Sequence, residues 1–234
     1  MKLAIMQPYY IPYIGYWQLI ADADVFVIYD DVNYIKNGWI NRNRILINGS
    51  PRYINLPVIG ASPNKLINEI STNYDEKSKK KSLRMIDNAY RKAPQYEGVL
   101  SLFQEMINFE GDNLALFLEH SIRLFAKYMH MDTEILMSSD LDKDTSLRGQ
   151  DKVIDICKRL SADEYVNTSA GSHLYSFEDF AAAGISLQFI TTKIIEYTQF
   201  KNDFCPNLSI LDVLMFNDVV AVESFLRSYD IATS

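Results

Sequence analysis

Asp30 and Asp31 stand side by side after an apolar run, and Lys36, Trp39, Asn41, Arg42, Asn43 and Arg44 crowd in shortly behind them. Adjacent carboxylates can act as a general base, as metal ligands or as partners for cations. Arginine offers a planar fork to phosphate or carboxylate, and asparagine supplies both a donor and an acceptor. In an extended chain Arg42 and Arg44 share one face while Asn41 and Asn43 share the other. With Trp39 alongside, this spacing predicts a site for an anionic small molecule. The plain alternatives are a solvated strand for the arginines and a turn for the acidic pair.

The elements that must position these groups lie upstream. Lys2 to Met6 reads as a short buried strand, Tyr13 to Ala21 as a helix apolar all round, and Val25 to Tyr29 as a second buried strand. Strand, helix and strand at this length predict a βαβ unit with a parallel pair and a right-handed crossover. Ligands of such sheets bind beyond the carboxyl ends of the strands. Gln7, Tyr9 and Tyr10 follow the first strand and Asp30 and Asp31 the second, so both sets are expected at one edge. The helix start points unpaired N–H groups into the same crevice, and Gly15 in its first turn permits a close approach by ligand or backbone. One pocket holding Gln7, Gly15, Asp30 and Arg42 or Arg44 is the expectation, with Asp30 or Asp31 as the catalytic base. Alternation turns one of the two carboxylates to the crevice and the other away. A weaker candidate is NTSAGSHLY, from Asn167 through Gly171 to Tyr175, where small residues could expose backbone N–H groups to an anion. An ordinary loop between strand and helix explains it equally well.

Further along, Asn48-Gly49 marks a hairpin between Arg44–Ile47 and Arg52–Val58, and residues 60–73 read as loop. The middle is helical: Leu83, Ile86 and Tyr90 share a face, with Lys77 to Lys81 a solvated helix start. Leu114 to Tyr128 predicts a longer helix with Asp112 as its N-cap. The last third returns to alternating elements. These are a helix through Val153 and Cys157, a strand at Glu164–Asn167 and a helix from Phe177 to Ala183 between Ser176 and Gly184. A strand at Ile185–Ile190 and a helical region from Ser209 and Asp212 to about Arg227 follow. The fold class expected is α/β, a Rossmann-like parallel sheet with a small N-terminal hairpin. The whole chain, 1–234, reads as a single α/β domain with a mostly helical insertion at about 75–130.

Composition narrows the function classes. With 48% hydrophobic and 23% charged residues over 234 positions, the chain has material for a globular core. A net charge of −7 argues against nucleic acid as partner. Cys157 and Cys205 form no CxxC, and His120, His130 and His173 no HExxH, so neither a disulfide framework nor a metal site is expected. Gln7, Pro8 and Pro12 break up the opening run before it could serve as a signal peptide. No stretch reaches the roughly 20 apolar residues of a membrane span, so a cytoplasmic location is expected.

The run QPYYIPYIGYWQLIADADVFVIYDDV closely resembles the WbqC-like family, as do the following K–W–NRNRI, ICKRLSADEYVN, GSHLY, GISLQF and NLSILDVLMFN. The resemblance covers most of the chain and is thinnest in the helical middle. Tyr13 stands where tryptophan is frequent, and Asn33-Tyr34 where Gln-Phe is common. The family is associated with bacterial surface-polysaccharide gene clusters, including O-antigen synthesis. That implies a lipopolysaccharide-biosynthesis transferase that places an acyl or aminoacyl group on an amino-sugar nucleotide. In this reading Asp30 or Asp31 deprotonates the amine, Arg42, Arg44 and the first helix hold phosphate, and Tyr9, Tyr10 and Trp39 pack sugar or base. The donor, for which a thioester is the candidate, leaves no signature, and the cofactor and oligomeric state stay unassigned. Two alternatives stand beside it. Gly15-Tyr16 at the helix start is similar to the Gly-His of nucleotidyltransferases, with tyrosine in place of the phosphate-binding histidine. A non-catalytic nucleotide-sugar binding module is the other.

Overall fold

The computed structural model describes residues 1–201 and 203–233. The βαβ unit predicted at the start is present: β1 (Lys2–Met6), α1 (Ile14–Asp22) and β2 (Val25–Ile28), with β1 and β2 parallel and Leu3 opposite Val25. All four residues of β2 are buried, as expected of a strand covered on both faces.

The hairpin follows as β3 (Arg42–Ile47) and β4 (Ser50–Asn55). Asn48 and Gly49 both take positive φ, 51° and 71°, the twist that a two-residue turn needs to match its strands. Val58 leaves the hairpin to pair elsewhere. The segment expected as loop carries a short ladder, β5 (Val58–Ile59) with β6 (Ser71–Thr72), and a 3-10 turn at Ile67–Glu69. Backbone pairing to distant residues makes this structure: Asn68 N donates to Asp30 O and Ile67 N to Val32 O. Such pairing leaves no local sequence pattern.

Three helices come next, α2 (Glu76–Tyr90), α3 (Tyr96–Ile107) and α4 (Leu114–Tyr128). The cap of α4 is Asn113, whose Oδ1 accepts from Leu116 N at 3.1 Å, and not Asp112. Asp112 instead spends its carbonyl on Thr72 N. The chain then returns to the sheet through β7 (Glu134–Met137), α5 (Gly149–Arg159), β8 (Glu164–Thr168), α6 (Phe177–Ala182) and β9 (Ser186–Thr192). The final helical region is two short helices, α7 (Ile210–Phe216) and α8 (Val219–Phe225), before β10 (Tyr229–Thr233).

Among the described residues the large sheet has six strands in the order β10-β9-β8-β1-β2-β7, parallel throughout except for β10. Counted in chain order, the parallel strands read 5-4-1-2-3, the Rossmann arrangement viewed from its other edge. The winding reverses between β1 and β8. Strand alternation feeds two cores. Ala4, Phe26, Ile28 and Val166 meet Trp17 and the middle helices on one face. Leu3, Ile5, Val27 and Tyr165 meet Val153, Ile156 and Phe180 on the other. No helix among the described residues is long and apolar enough to cross a membrane.

Candidate functional site

The segment Gln7–Tyr13 leaves β1 at the carboxyl edge and is tied down on several sides. Tyr10 N donates to Trp39 O at 3.0 Å, and Asn43 Nδ2 reaches the carbonyls of both Tyr10 and Ile11 at 3.0 Å. Ser209 Oγ donates to Ile11 O at 2.7 Å, and Ile210 N and Trp17 Nε1 both donate to Pro12 O. These bonds hold Ile11 at φ 39°, a costly value for a β-branched residue that persists only where its surroundings impose it.

Over this segment opens a cavity of about 290 Å³ lined by Tyr9, Pro12, Tyr13, Trp39, Asn43, Arg44 and Asn207. Arg44 Nη2 donates to Asn207 O at 3.2 Å, and its guanidinium lies 5.6 Å from the Trp39 ring centre. Arg44 Nε is buried with no hydrogen-bond partner among the described residues. Burial raises the pKa of Tyr9, with Tyr13 adding to the effect, and burial likewise raises Tyr13 against an opposing hydrogen bond with Thr192. Both rings are therefore neutral hydrogen-bonding walls at physiological pH. The chemistry available is one guanidinium with a free donor, aromatic faces and an amide held by the backbone.

Of the residues expected to form the site, Tyr9, Trp39, Asn43 and Arg44 are brought together here. The others are placed differently, and Gln7, Gly15 and Asp30 do not line this cavity. Tyr10 is fully buried against Phe117 and Tyr74. Gln7 lends its carbonyl to Tyr16 Oη at 3.1 Å. At Gly15 an added Cβ would come within 2.5 Å of Thr192 Oγ1 and Tyr13 Oη, so side chains of this chain take the close approach expected for a ligand. Lys36 is exposed. Asn41 accepts from Tyr34 Oη and donates to Leu56 O, a role in holding the hairpin. Arg42 donates to the carbonyls of Gly38 and Asn37 and stacks 4.6 Å over Tyr53.

The acidic pair is also structural in its contacts. Asp30 is 1% exposed; its Oδ1 accepts from Ser139 N at 2.9 Å and its Oδ2 from Asn68 Nδ2 at 3.2 Å. Those bonds join the end of β2 to the end of β7 and to the Ile67–Glu69 turn. Asp31 Oδ2 receives two buried lysines, Lys143 at 3.0 Å and Lys152 at 2.9 Å. Burial pushes the Asp31 carboxyl up, but the nearby Ser138 hydroxyl, Lys152 and Lys143 outweigh it and hold it below the ordinary carboxylate value. A carboxylate so held is a weaker base than a free one. Neither carboxylate lines the cavity.

The second candidate loop is likewise engaged with itself. Asn167 donates to Tyr165 Oη at 2.8 Å and Tyr175 Oη at 3.2 Å and accepts from Thr168 N, and a Cβ on Gly171 would meet only ordinary contacts. Residues that the sequence reading passed over do contribute. Asn207, after Pro206, closes the cavity from far along the chain and takes a positive φ of 57°. Lys143 and Lys152, which no local pattern sets apart, both meet Asp31. Asp212, expected as a helix cap, is fully buried and accepts from Tyr90 Oη, Tyr197 Oη and Gln199 Nε2 at 2.7, 2.7 and 2.6 Å. Burial raises its pKa against those three donors.

The model of the WbqC-like protein family matches residues 7–224. An uncharacterized protein of Mycobacterium tuberculosis (strain ATCC 25618 / H37Rv), Rv1507c, is 28% identical over 229 residues, covering 97% of each chain. No solved structure matches. The chain belongs to the WbqC-like family.

Proposed function

We propose that this WbqC-like chain is a transferase of bacterial surface-glycan precursor synthesis, acting in the cytoplasm on an amino-sugar nucleotide whose phosphates enter the Arg44 cavity. The observation that carries the reading is Arg44 at a cavity walled by Tyr9, Tyr13 and Trp39, with the buried Nε of its guanidinium unpartnered among the described residues. A buried donor without an acceptor costs free energy until one arrives, and a phosphate oxygen gives a charge-assisted bond. The aromatic walls suit the faces of a base or sugar ring.

The group transferred is an acyl or aminoacyl group. With a thioester donor, the amine nitrogen bonds to the acyl carbon and the C–S bond breaks. The sulfur leaves with the electron pair and takes up the proton that the amine releases. The chain's part is to bind and orient both reactants.

A second reading, a binding module without turnover, is supported by the engagement of Asp30 and Asp31 in structural contacts. Nucleotidyl transfer has the strand order in its favour, an argument from fold alone. Against it, the hydroxyl of Tyr16 is spent on Gln7 O.

Calorimetric titration of nucleoside diphosphate sugars into wild type and Arg44→Ala tests the reading. A charged hydrogen bond is worth about 1.5–3 kcal/mol, so Arg44→Ala should lose roughly one to two decades of affinity. Equal affinities would remove the phosphate site. Binding without product from acyl thioesters would favour the module.

A further inference from the structure

We infer that an apolar cavity beside the Arg44 cavity receives a short hydrocarbon chain, the tail of the transferred acyl group. The identity of that ligand rests on the transfer reading above; the existence of a hydrocarbon site does not. The second cavity measures about 130 Å³, and its apolar wall is made by Ile14, Ile195, Phe204, Leu208, Val213 and Phe225. Asn207 lines both cavities, and its carbonyl is the group that holds Arg44 Nη2. Ile14 opens α1 directly after Tyr13 of the first cavity. A ligand with an anionic head at Arg44 thus has an apolar recess next to it.

Three polar side chains on the wall are engaged within the chain, among them Lys193, which pairs with Asp230 at 2.7 Å. Tyr197 Oη donates to Asp212 at 2.7 Å, and the Thr192 hydroxyl is shared with Tyr13. The side chains of Ile14, Ile195, Phe204, Leu208, Val213 and Phe225 offer methylenes a larger apolar surface beside these engaged groups. Ile194 at the same cavity is 79% exposed, an apolar side chain that a bound chain would cover. Volume sets the size. A cavity of about 150 Å³ lined by apolar residues holds benzene, so this one suits a chain of about five or six carbons.

The test titrates straight-chain alkanoates of two to eight carbons into the full chain by calorimetry. Each methylene buried should raise affinity about fourfold, until the series flattens near six carbons. Val213→Phe, which fills the recess, should abolish the rise. If that variant does not fold, nuclear Overhauser contacts from hexanoate to the methyls of Ile14, Leu208 and Val213 in wild type locate the chain instead. A flat series, a rise that survives Val213→Phe, or contacts elsewhere would overturn the inference. Uridine diphosphate titrated in parallel separates the two ideas. If it binds through Arg44 while the alkanoate series stays flat, the recess fails and the phosphate reading survives. If the series rises but uridine diphosphate does not bind, the recess stands and the phosphate reading fails.

Discussion

The side-chain amide of Asn43 holds the carbonyl of Ile11 at 3.0 Å, and Ile11 sits at φ 39°. The bond joins the hairpin to the segment that leaves β1, and both parts wall the Arg44 cavity. Replacing Asn43 by Ala leaves two buried carbonyls without that donor while Ile11 keeps its strain. An unsatisfied buried polar group costs about 1–3 kcal/mol. Asn43→Ala should therefore lower the unfolding free energy obtained from urea titration by that order and weaken any ligand of the cavity. Unchanged stability would mean that Ser209, which also donates to Ile11 O, suffices to hold the segment.

Asp31 should behave as a structural anion. Asp31→Asn leaves Lys143 and Lys152, 9% and 5% exposed, without the carboxylate they share. Breaking a buried ion pair from one side costs about 3–5 kcal/mol. Chemical unfolding of Asp31→Asn at neutral pH should show a loss of this size. A loss below about 1 kcal/mol would show that the lysines find other partners.

Two carboxyl groups should make opposite contributions to stability against pH. Asp31 is held below its ordinary value, so its contribution is present above the unfolded pKa near 3.8 and is lost as pH falls through the folded value. Asp212 is raised, so its contribution is full below 3.8 and is lost as pH rises through the folded value. Unfolding free energies measured across this acidic range for wild type and Asp212→Asn should differ in slope. The variant should lack the decline with rising pH. Parallel curves would mean that Tyr90, Tyr197 and Gln199 cancel the burial.

What was legible in the sequence was local and periodic. The βαβ opening, the Asn48-Gly49 turn and the helices α2, α4, α5 and α6 carry their own patterns and lie where they were expected, whereas α3 was not singled out and the final helical region divides into α7 and α8. Two strands of the large sheet escaped, as did the short β6. β7 is four residues long, and β10 is mostly exposed, so neither shows an apolar alternation. Within the site, Tyr9, Trp39, Asn43 and Arg44 drew attention because aromatic and polar groups are dense there. Asn207 and the partners of Asp31 and Asp212 are joined only by folding, and single residues give no sign of such distant pairing. Asp30 shows the converse: a carboxylate at a strand end reads as functional, yet it serves here to bond Ser139 and Asn68.

Arg42 and Arg44 look equivalent in sequence, two arginines on one face of β3, but their contacts differ. Arg42 has both its Nε and its Nη2 satisfied by carbonyls of its own loop and stacks on Tyr53. Arg44 spends Nη2 on Asn207 and leaves Nε buried without a partner among the described residues. Arg42→Ala should therefore loosen the loop before the hairpin, seen as faster amide exchange around Asn37 and Gly38, with nucleotide affinity changed less than about threefold. Arg44→Ala should leave that exchange alone and lose affinity by roughly one to two decades. Arg44→Lys should recover only part, because an ammonium keeps the charge but not the planar fork. Measured together, exchange and affinity decide which arginine binds. Equal losses of affinity from both alanine variants would extend the site along the strand to Arg42, and equal effects on exchange would make Arg44 a structural residue too.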